Sequence, residues 1–371
     1  MVERDIVVVG AGPAGLAAAI EAAKLGAKSV LVVDLNMKAG GQLFKQIHKF
    51  FGSSAHGSGV RGIDIGAQML ADAQKYGVEI WLNSAAVGIY GGKVVSIEKN
   101  TENKTPVLTN VVAKKIVIAV GASENVIRFK GWTKPGVMGA GAAQTMINVN
   151  RVRPGKRIVM LGSGNVGLIV SYQLMQAGCE VVALVEALPG VGGYGVHASK
   201  IKRAGVPIYT KHTIIEAKGG DRVEAVVIAE IDKNFAPIAG TEKTLEADTI
   251  TLAAGLKPIS DLVRLSEAEL VFDGVLGGWI PKHDRNMETT ASGIYVAGDA
   301  TGVEEANTAL EEGKLAGVAA AESLGLVSES EAGKLKGEIW YRLDGLRMGP
   351  FGEKRMKAKA AQIASFPGVG A

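Results

Sequence analysis

The sequence predicts an α/β protein of two similar parallel-sheet modules, the second inserted into the first, and three observations predict it. A strand, glycine turn, helix and second strand open the chain at residues 5–34, and the same order returns at residues 157–186. Two later apolar runs, 115–121 and 249–255, each end in a glycine turn, as if each closed one module. The composition fits this class. The 371 residues are 47% hydrophobic and 21% charged, enough for more than one core, and the 50 glycines gather at the ends of apolar runs rather than in a fixed period.

Charge and cysteine usage exclude several functions. A net charge of +4 is no nucleic-acid footprint. A single cysteine, Cys179, excludes an intrachain disulfide framework, a CxxC redox pair, a cysteine-rich zinc site and a self-contained four-cysteine cluster, so no metal is expected. Met1 leads directly into the strand-like run at Asp5 without a basic flank, and no long uncharged apolar stretch follows. The expectation is a soluble, cytoplasmic protein without a membrane span.

The opening unit carries the strongest motif. Ile6 to Val9 is an apolar strand, and Gly10-Ala11-Gly12-Pro13-Ala14-Gly15 turns into a small-residue helix running to Leu25. Val30 to Val33 is the next strand, ending at Asp34. This is the Rossmann-type dinucleotide fingerprint. Gly10 permits the tight turn, Gly12 lets backbone approach a pyrophosphate, Gly15 lets helix pack on sheet, and Asp34 accepts from ribose hydroxyls. A helical pattern at 66–75 and strand-like pieces near Ile80 and Val94 lead to the run 115–121, whose Gly121 closes the first part of the module.

A second signal lies far away, where Thr290 to Asp299 reads as a short strand ending in Gly298-Asp299. A carboxylate there can accept from ribityl hydroxyls. The helix that follows Glu305 aims its N-terminus at the same place, with the amides of Ala306, Asn307 and Thr308 available to a flavin ring. Together with the N-terminal fingerprint, this predicts FAD.

These residues resemble the flavoproteins with two dinucleotide-binding domains, in particular the thioredoxin-reductase-like branch, across roughly residues 1 to 325. Gly40-Gly41-Gln42-Leu43 is similar to that branch's flavin-contacting segment, which implies Gly40, Gly41 and Gln42 at the flavin. Phe50-Phe51-Gly52 and the 115–121 strand match further segments, with Val120 in place of a threonine. Ala140 and Ala143 stand where that branch has its two thiols, so dithiol chemistry is excluded. The stretches 131–144 and 311–317 instead resemble the FAD subunits of sarcosine oxidase, opine oxidase, hydrogen cyanide synthase and dye-linked proline dehydrogenase. That resemblance implies a small amine, amino acid or imino acid as substrate and a second protein subunit or electron acceptor as partner.

The repeated unit holds Gly162-Ser163-Gly164-Asn165-Val166-Gly167, answered by Glu186. An acidic residue there disfavours NADP. NAD or another adenine nucleotide, and a vacant structural remnant, both remain open readings. Two histidines beyond the flavin segment, His48 and His56, are candidates for binding a substrate carboxylate or acting as base, against the plainer reading that they hydrogen-bond backbone or cofactor. Cys179 reads as a packing residue.

The expected domains are residues 1–121 with 247–327 for FAD, residues 122–246 as the second nucleotide-binding module, and residues 328–371 as a basic appendage. Its glycines are expected to break any long helix, and its stretch 349–352 suits either subunit docking or a solvated tail. The function expected is an FAD-dependent oxidoreductase, a subunit of an amine or amino-acid dehydrogenase or oxidase. The alternatives are an NADH-dependent flavin reductase feeding a ferredoxin-like partner and a non-catalytic subunit with structural FAD.

Overall fold

A computed structural model of the protein describes residues 2–100, 105–349 and 352–366. The chain forms two compact units, residues 1–123 with 257–371 and residues 124–256. Its helices in chain order are α1 (Pro13–Lys24), α2 (Gly62–Lys75), α3 (Ala140–Asn148), α4 (Asn165–Gln176), α5 (Gly195–Arg203), α6 (Asp261–Leu265), α7 (Ala306–Ser323), α8 (Glu329–Leu346) and α9 (Glu353–Ala364).

The first unit is built on a sheet in which Val2–Val9 lies between Val30–Val33 and Val107–Ile118, both parallel to it. Ile6, Val7 and Val8 are fully buried because helices cover one face and further strands and loops the other, which is why the strand reads as an unbroken apolar run. Besides Val2–Val9, the 12-residue strand Val107–Ile118 has two more partners. Its first half pairs antiparallel with Val94–Lys99, and its last residues pair parallel with Ile294–Val296, so the Gly298-Asp299 turn emerges from the same sheet as the glycine loop.

Helix α1 starts at Pro13, whose fixed φ suits the first helical position, and stops before Gly26, which adopts φ +102°. It is alanine-rich because α7 crosses it at backbone distance. A Cβ on Gly313 would overlap the Ala14 carbonyl, and one on Gly317 the Ala18 carbonyl.

The second unit repeats the design, with an all-parallel sheet ordered Ile208–Thr210, Glu180–Glu186, Arg157–Leu161, Thr249–Leu252, Val137–Gly139. A three-stranded antiparallel sheet, His212–Lys218, Ala225–Glu230 and Lys243–Glu246, follows it. The expected return to the first module at residue 247 is therefore ten residues early. Thr249–Leu252 pairs between Arg157–Leu161 and Val137–Gly139, inside the second unit. An apolar run ending in glycine satisfies either sheet, and only its hydrogen-bonding partners separate them.

Residues 328–366 are also unlike the expected appendage. Helix α8 runs unbroken through Gly333 and Gly337, capped by Ser328, whose Oγ accepts from the Glu331 amide at 3.3 Å. Each glycine costs about 1 kcal/mol of helix propensity. Burying Ala332, Ile339 and Leu343 in the core beneath α1 and α7 outweighs that cost. Arg347 and Lys359 are 3% and 2% exposed, so two of the basic residues are interior groups. Of the stretch 349–352, Pro350 and Phe351 lie outside the described residues.

Candidate functional site

The first glycine loop has the geometry that a dinucleotide pyrophosphate needs. Gly10 holds φ +107°, and a Cβ there would strike the Ala119 carbonyl oxygen, so no other residue fits. Gly12 caps α1 with no side-chain hydrogen bond to the helix and no acidic residue in the first turn, which leaves the N-terminal amides and the positive dipole end to a ligand. Nothing but the Gly41 Cα, at 3.9 Å, lies near the place where a Gly12 side chain would stand. Asp34, at the end of the next strand, accepts from the Ala11 amide at 2.7 Å through Oδ2 and from the Asn36 amide at 2.8 Å through Oδ1.

Other predicted residues converge on this loop. The Gly40 amide donates to the Ala11 carbonyl at 2.8 Å, and Gly40 and Gly41 both have positive φ, with a Gly41 Cβ placed 2.7 Å from the Gly12 Cα. Gln42 follows on the exposed side of a short 3₁₀ turn. Gly121 takes φ +77° at the end of the central strand. Gly298 takes φ +71°, and a Cβ on it would lie 2.8 Å from that of Ala14, so the Gly-Asp turn stands directly on the start of α1. Asp299 is half-buried, and burial raises its carboxyl to about 6. Ala306, Asn307 and Thr308 form the first turn of α7, which has no side-chain cap. Asn307 Nδ2 donates to the Phe51 carbonyl at 3.4 Å, tying this helix to the segment after Gly41.

The two histidines separate. His56 is buried, with Nδ1 at 2.9 Å from Ser53 Oγ and Nε2 at 3.2 Å from Glu311 Oε1 of α7. His48 stacks on Phe50 at 5.7 Å and is half-buried.

The second glycine loop matches the first bond for bond. The Gly162 amide donates to the Val185 carbonyl at 2.7 Å as Gly10 does to Val33 at 2.8 Å, and a Gly162 Cβ would strike the Ala253 carbonyl. Glu186 Oε2 accepts from the Ser163 amide at 2.8 Å and Oε1 from the Leu188 amide at 2.9 Å, the pattern of Asp34. Gly193 donates to the Ser163 carbonyl at 2.9 Å where Gly40 donates to Ala11. Gly167 packs under the loop as Gly15 does, Asn165 and Val166 begin α4 behind a Gly164 cap without a side-chain bond, and nothing lies within 4 Å of a Gly164 Cβ. Side chains of this loop make further hydrogen bonds. Ser163 Oγ also donates to Glu186 Oε2, at 2.6 Å, and Asn165 Oδ1 accepts from the Tyr194 amide at 2.8 Å.

At the start of α3, Ala140 and Ala143 are fully buried, and the Glu124 carboxylate accepts from the Gly141 amide at 2.7 Å. Cys179 lies in the core of the second unit, its thiol pushed up by burial. Among the described residues no cluster of three or more His, Cys, Asp or Glu could hold a metal ion, and no helix is long and apolar enough to cross a membrane.

One buried charged network is not foreshadowed by the sequence motifs. Beneath the Gly298-Asp299 turn, Glu312 of α7 meets Arg347 Nη2 and Lys359 Nζ, each at 2.5 Å through Oε1, while Oε2 accepts from the Gly298 amide at 3.0 Å and Thr301 Oγ1 at 2.9 Å. The two cations hold the Glu312 carboxyl well below the usual carboxylate range, and the carboxylates hold the Arg347 guanidinium charged. The available signal was a pair of acidic residues, Glu311-Glu312, inside an otherwise alanine- and glycine-rich helix.

Comparison with known proteins agrees with this geometry. The family model described as pyridine nucleotide-disulphide oxidoreductase matches residues 4–313. An opine oxidase subunit of Agrobacterium tumefaciens is 30% identical over 87% of this chain and 66% of its own length. The alpha subunit of sarcosine oxidase from Corynebacterium sp. is 29% identical over 87% of this chain and 33% of its own. The chain thus spans less than two thirds of these relatives. In fold it resembles T. acidophilum thioredoxin reductase, with TM-score 0.71, 22% identity and coverage of 87% of this chain and 99% of that one. It also resembles L-proline dehydrogenase from P. horikoshii, with TM-score 0.68, 21% identity and coverage of 93% and 59%.

Proposed function

The chain belongs to the pyridine nucleotide-disulphide oxidoreductase family and is an FAD-dependent oxidoreductase, and from that premise we propose that it oxidises a small amine, amino acid or imino acid as one subunit of a larger enzyme. The observation that carries this reading is that the chain has no pair of cysteines. The two positions that hold the thiols in the dithiol branch are Ala140 and Ala143, both fully buried, and the one cysteine is a core residue of the second unit. Electrons taken from a substrate therefore cannot pass through a dithiol of this chain. The substrate class follows from the names of the relatives, opine oxidase and sarcosine oxidase.

FAD bound here supplies a two-electron acceptor for a substrate C–H bond. The amides at the start of α1 would bind its pyrophosphate, Asp34 its adenosine ribose and Asp299 its ribityl hydroxyls. The first-turn amides of α7 would serve the pyrimidine side of the flavin, where the helix dipole favours negative charge. Gly40 and Gly41 bring a second stretch of backbone against Gly12 with no side chain in the way. His56 has both ring nitrogens engaged and holds the 53–56 turn to α7, so it positions the loop. His48 is then the remaining candidate base. In the second unit the duplicated loop fits NAD or another adenine nucleotide, with Glu186 on the ribose.

Anaerobic mixing of the FAD-loaded chain with donors tests the reading. Bleaching of the flavin absorbance by an amino or imino acid, and not by NADH, is the expected result. The duplicated second loop supports one rival, an NADH-dependent flavin reductase, for which NADH alone bleaches the flavin at once. Reduction by neither donor sinks both and leaves a structural FAD.

Asp299 gives a pH dependence. Ionised, it accepts stronger, charge-assisted hydrogen bonds from ribityl hydroxyls than when protonated, and burial has raised it to about 6. As pH falls through 6 protonation weakens these bonds, so FAD affinity falls, by at most about tenfold per pH unit below that point, and is level above about pH 7. Fluorescence titration of apoprotein with FAD from pH 5 to 7.5 measures this. The slope vanishes in Asp299→Asn, and a flat profile in the unsubstituted protein refutes the assignment.

A further inference from the structure

We propose that the C-terminal segment α8–α9 is a clamp on the FAD site, with Arg347 and Lys359 as the positioning residues that hold the Gly298–Glu304 loop in its ligand-binding shape. This rests on reading Gly298-Asp299 as an FAD contact.

Glu304 and Glu312 place two carboxylates in the interior beside Asp299, with side chains 6% and 3% exposed. Unpaired, a buried carboxylate is strongly destabilising, and these would also repel an incoming diphosphate. Both counter-ions come from beyond residue 328. Arg347 grips Glu304 with two donors, Nε to Oε1 at 3.0 Å and Nη2 to Oε2 at 2.6 Å, and Nη2 also reaches Glu312 at 2.5 Å. Lys359 reaches Glu312 Oε1 and Thr301 Oγ1, each at 2.5 Å.

What these pairs fix is the loop itself. Glu312 Oε2 holds the Gly298 amide and the Thr301 hydroxyl, and the Glu304 amide donates to Asp299 Oδ1 at 3.3 Å. At both ends the loop is thus bonded to a carboxylate, or to the residue bearing one, that a tail cation neutralises. Gln362 of α9 adds a lock, its Nε2 3.4 Å from the carbonyls of Pro281 and His283, while His283 is buried and held neutral at about 4.

Two consequences follow. FAD affinity depends on a docked tail, and by reciprocity bound FAD tightens the docking of that tail. The α8–α9 segment is then a place where a partner or a cleavage could release the cofactor.

The test uses the full chain. Lys359→Met is expected to raise the FAD dissociation constant at least tenfold, measured by flavin fluorescence on apoprotein kept below its unfolding transition, and Lys359→Arg recovers most of that loss. Because Lys359→Met leaves a buried charge under-compensated, the charge-balanced double variant Glu312→Gln with Lys359→Met is measured beside it. It restores the charge balance, but Thr301 has lost its Lys359 contact and a neutral amide oxygen holds the Gly298 amide more weakly than a carboxylate, so weak FAD binding persists. Lys336→Met is the control. Lys336 ties α8 to Glu322 at 2.7 Å without touching the loop, and FAD affinity stays within twofold. In the unsubstituted protein, FAD slows amide exchange in α9.

The clamp is overturned if folded Lys359→Met and the double variant bind FAD as tightly as the parent, if Lys336→Met weakens FAD equally, or if exchange in α9 ignores FAD. Asp299→Ala separates this from failure of the underlying reading. If that variant leaves FAD affinity unchanged, the turn is no FAD contact. If it weakens FAD while Lys359→Met does not, the clamp alone fails.

Discussion

Gly12→Glu yields a folded, colourless protein, and Gly164→Glu yields a folded, yellow one that no longer binds an adenine nucleotide in its second unit. Both caps have extended backbone that any residue adopts, with φ −77° at Gly12 and −65° at Gly164, and both point their missing side chain into open space. The loops therefore tolerate the substitution. The new carboxylate, however, enters the space of the pyrophosphate and takes the amides and dipole that would have bound it. The loss expected is about a thousandfold in FAD affinity for Gly12→Glu, equivalent to about 4 kcal/mol. Bound flavin is read from absorbance after purification, and nucleotide binding in the second unit by calorimetry with NADH. Since each loop lies within its own unit, the two losses are independent. A Gly12→Glu protein that keeps its flavin would remove the first loop as the FAD site, and a Gly164→Glu protein unchanged in nucleotide binding would make the second loop a structural remnant.

The second large effect is on folding. Gly313→Val places a branched side chain where α7 meets the Ala14 backbone, and a helix backbone cannot yield as a side-chain tip can. Overpacking of this kind costs about 3 kcal/mol or more, and for a chain this long each kcal/mol lowers Tm by roughly 2–4 °C. A fall on the order of 10 °C, or loss of soluble protein, is the expected outcome by thermal unfolding. Gly333→Ala in α8 is the informative contrast. Its Cβ would meet nothing within 4 Å, the position is exposed, and alanine is the better helix former by about 1 kcal/mol. That variant gains stability. If both substitutions proved neutral, the close crossing of α1 and α7 would not contribute to stability as described.

Much of this protein was legible in its residues because the chemistry of a dinucleotide loop is local. Gly10, Gly12 and Gly15 with Asp34 stand out because strand, turn and helix fix their spacing within one βαβ unit, and the repeat at Gly162 to Glu186 obeys the same local rules. The absence of dithiol chemistry was equally plain from a cysteine count.

What the sequence left ambiguous was decided by pairing across long separations. The run 249–255 could have closed either sheet, and its hydrogen bonds to Arg157–Leu161 put it in the second unit. The glycines of α8 suggested a broken helix, and burial of Ile339 and Leu343 overrode that propensity. The basic tail read as surface charge because the carboxylates that Arg347 and Lys359 neutralise lie 43, 35 and 47 residues away in sequence, at Glu304 and Glu312. Local pattern is set by backbone periodicity and turn geometry, which neighbouring residues alone specify. Charge compensation in a low-dielectric interior depends on distance through space, and only the tertiary structure supplies that.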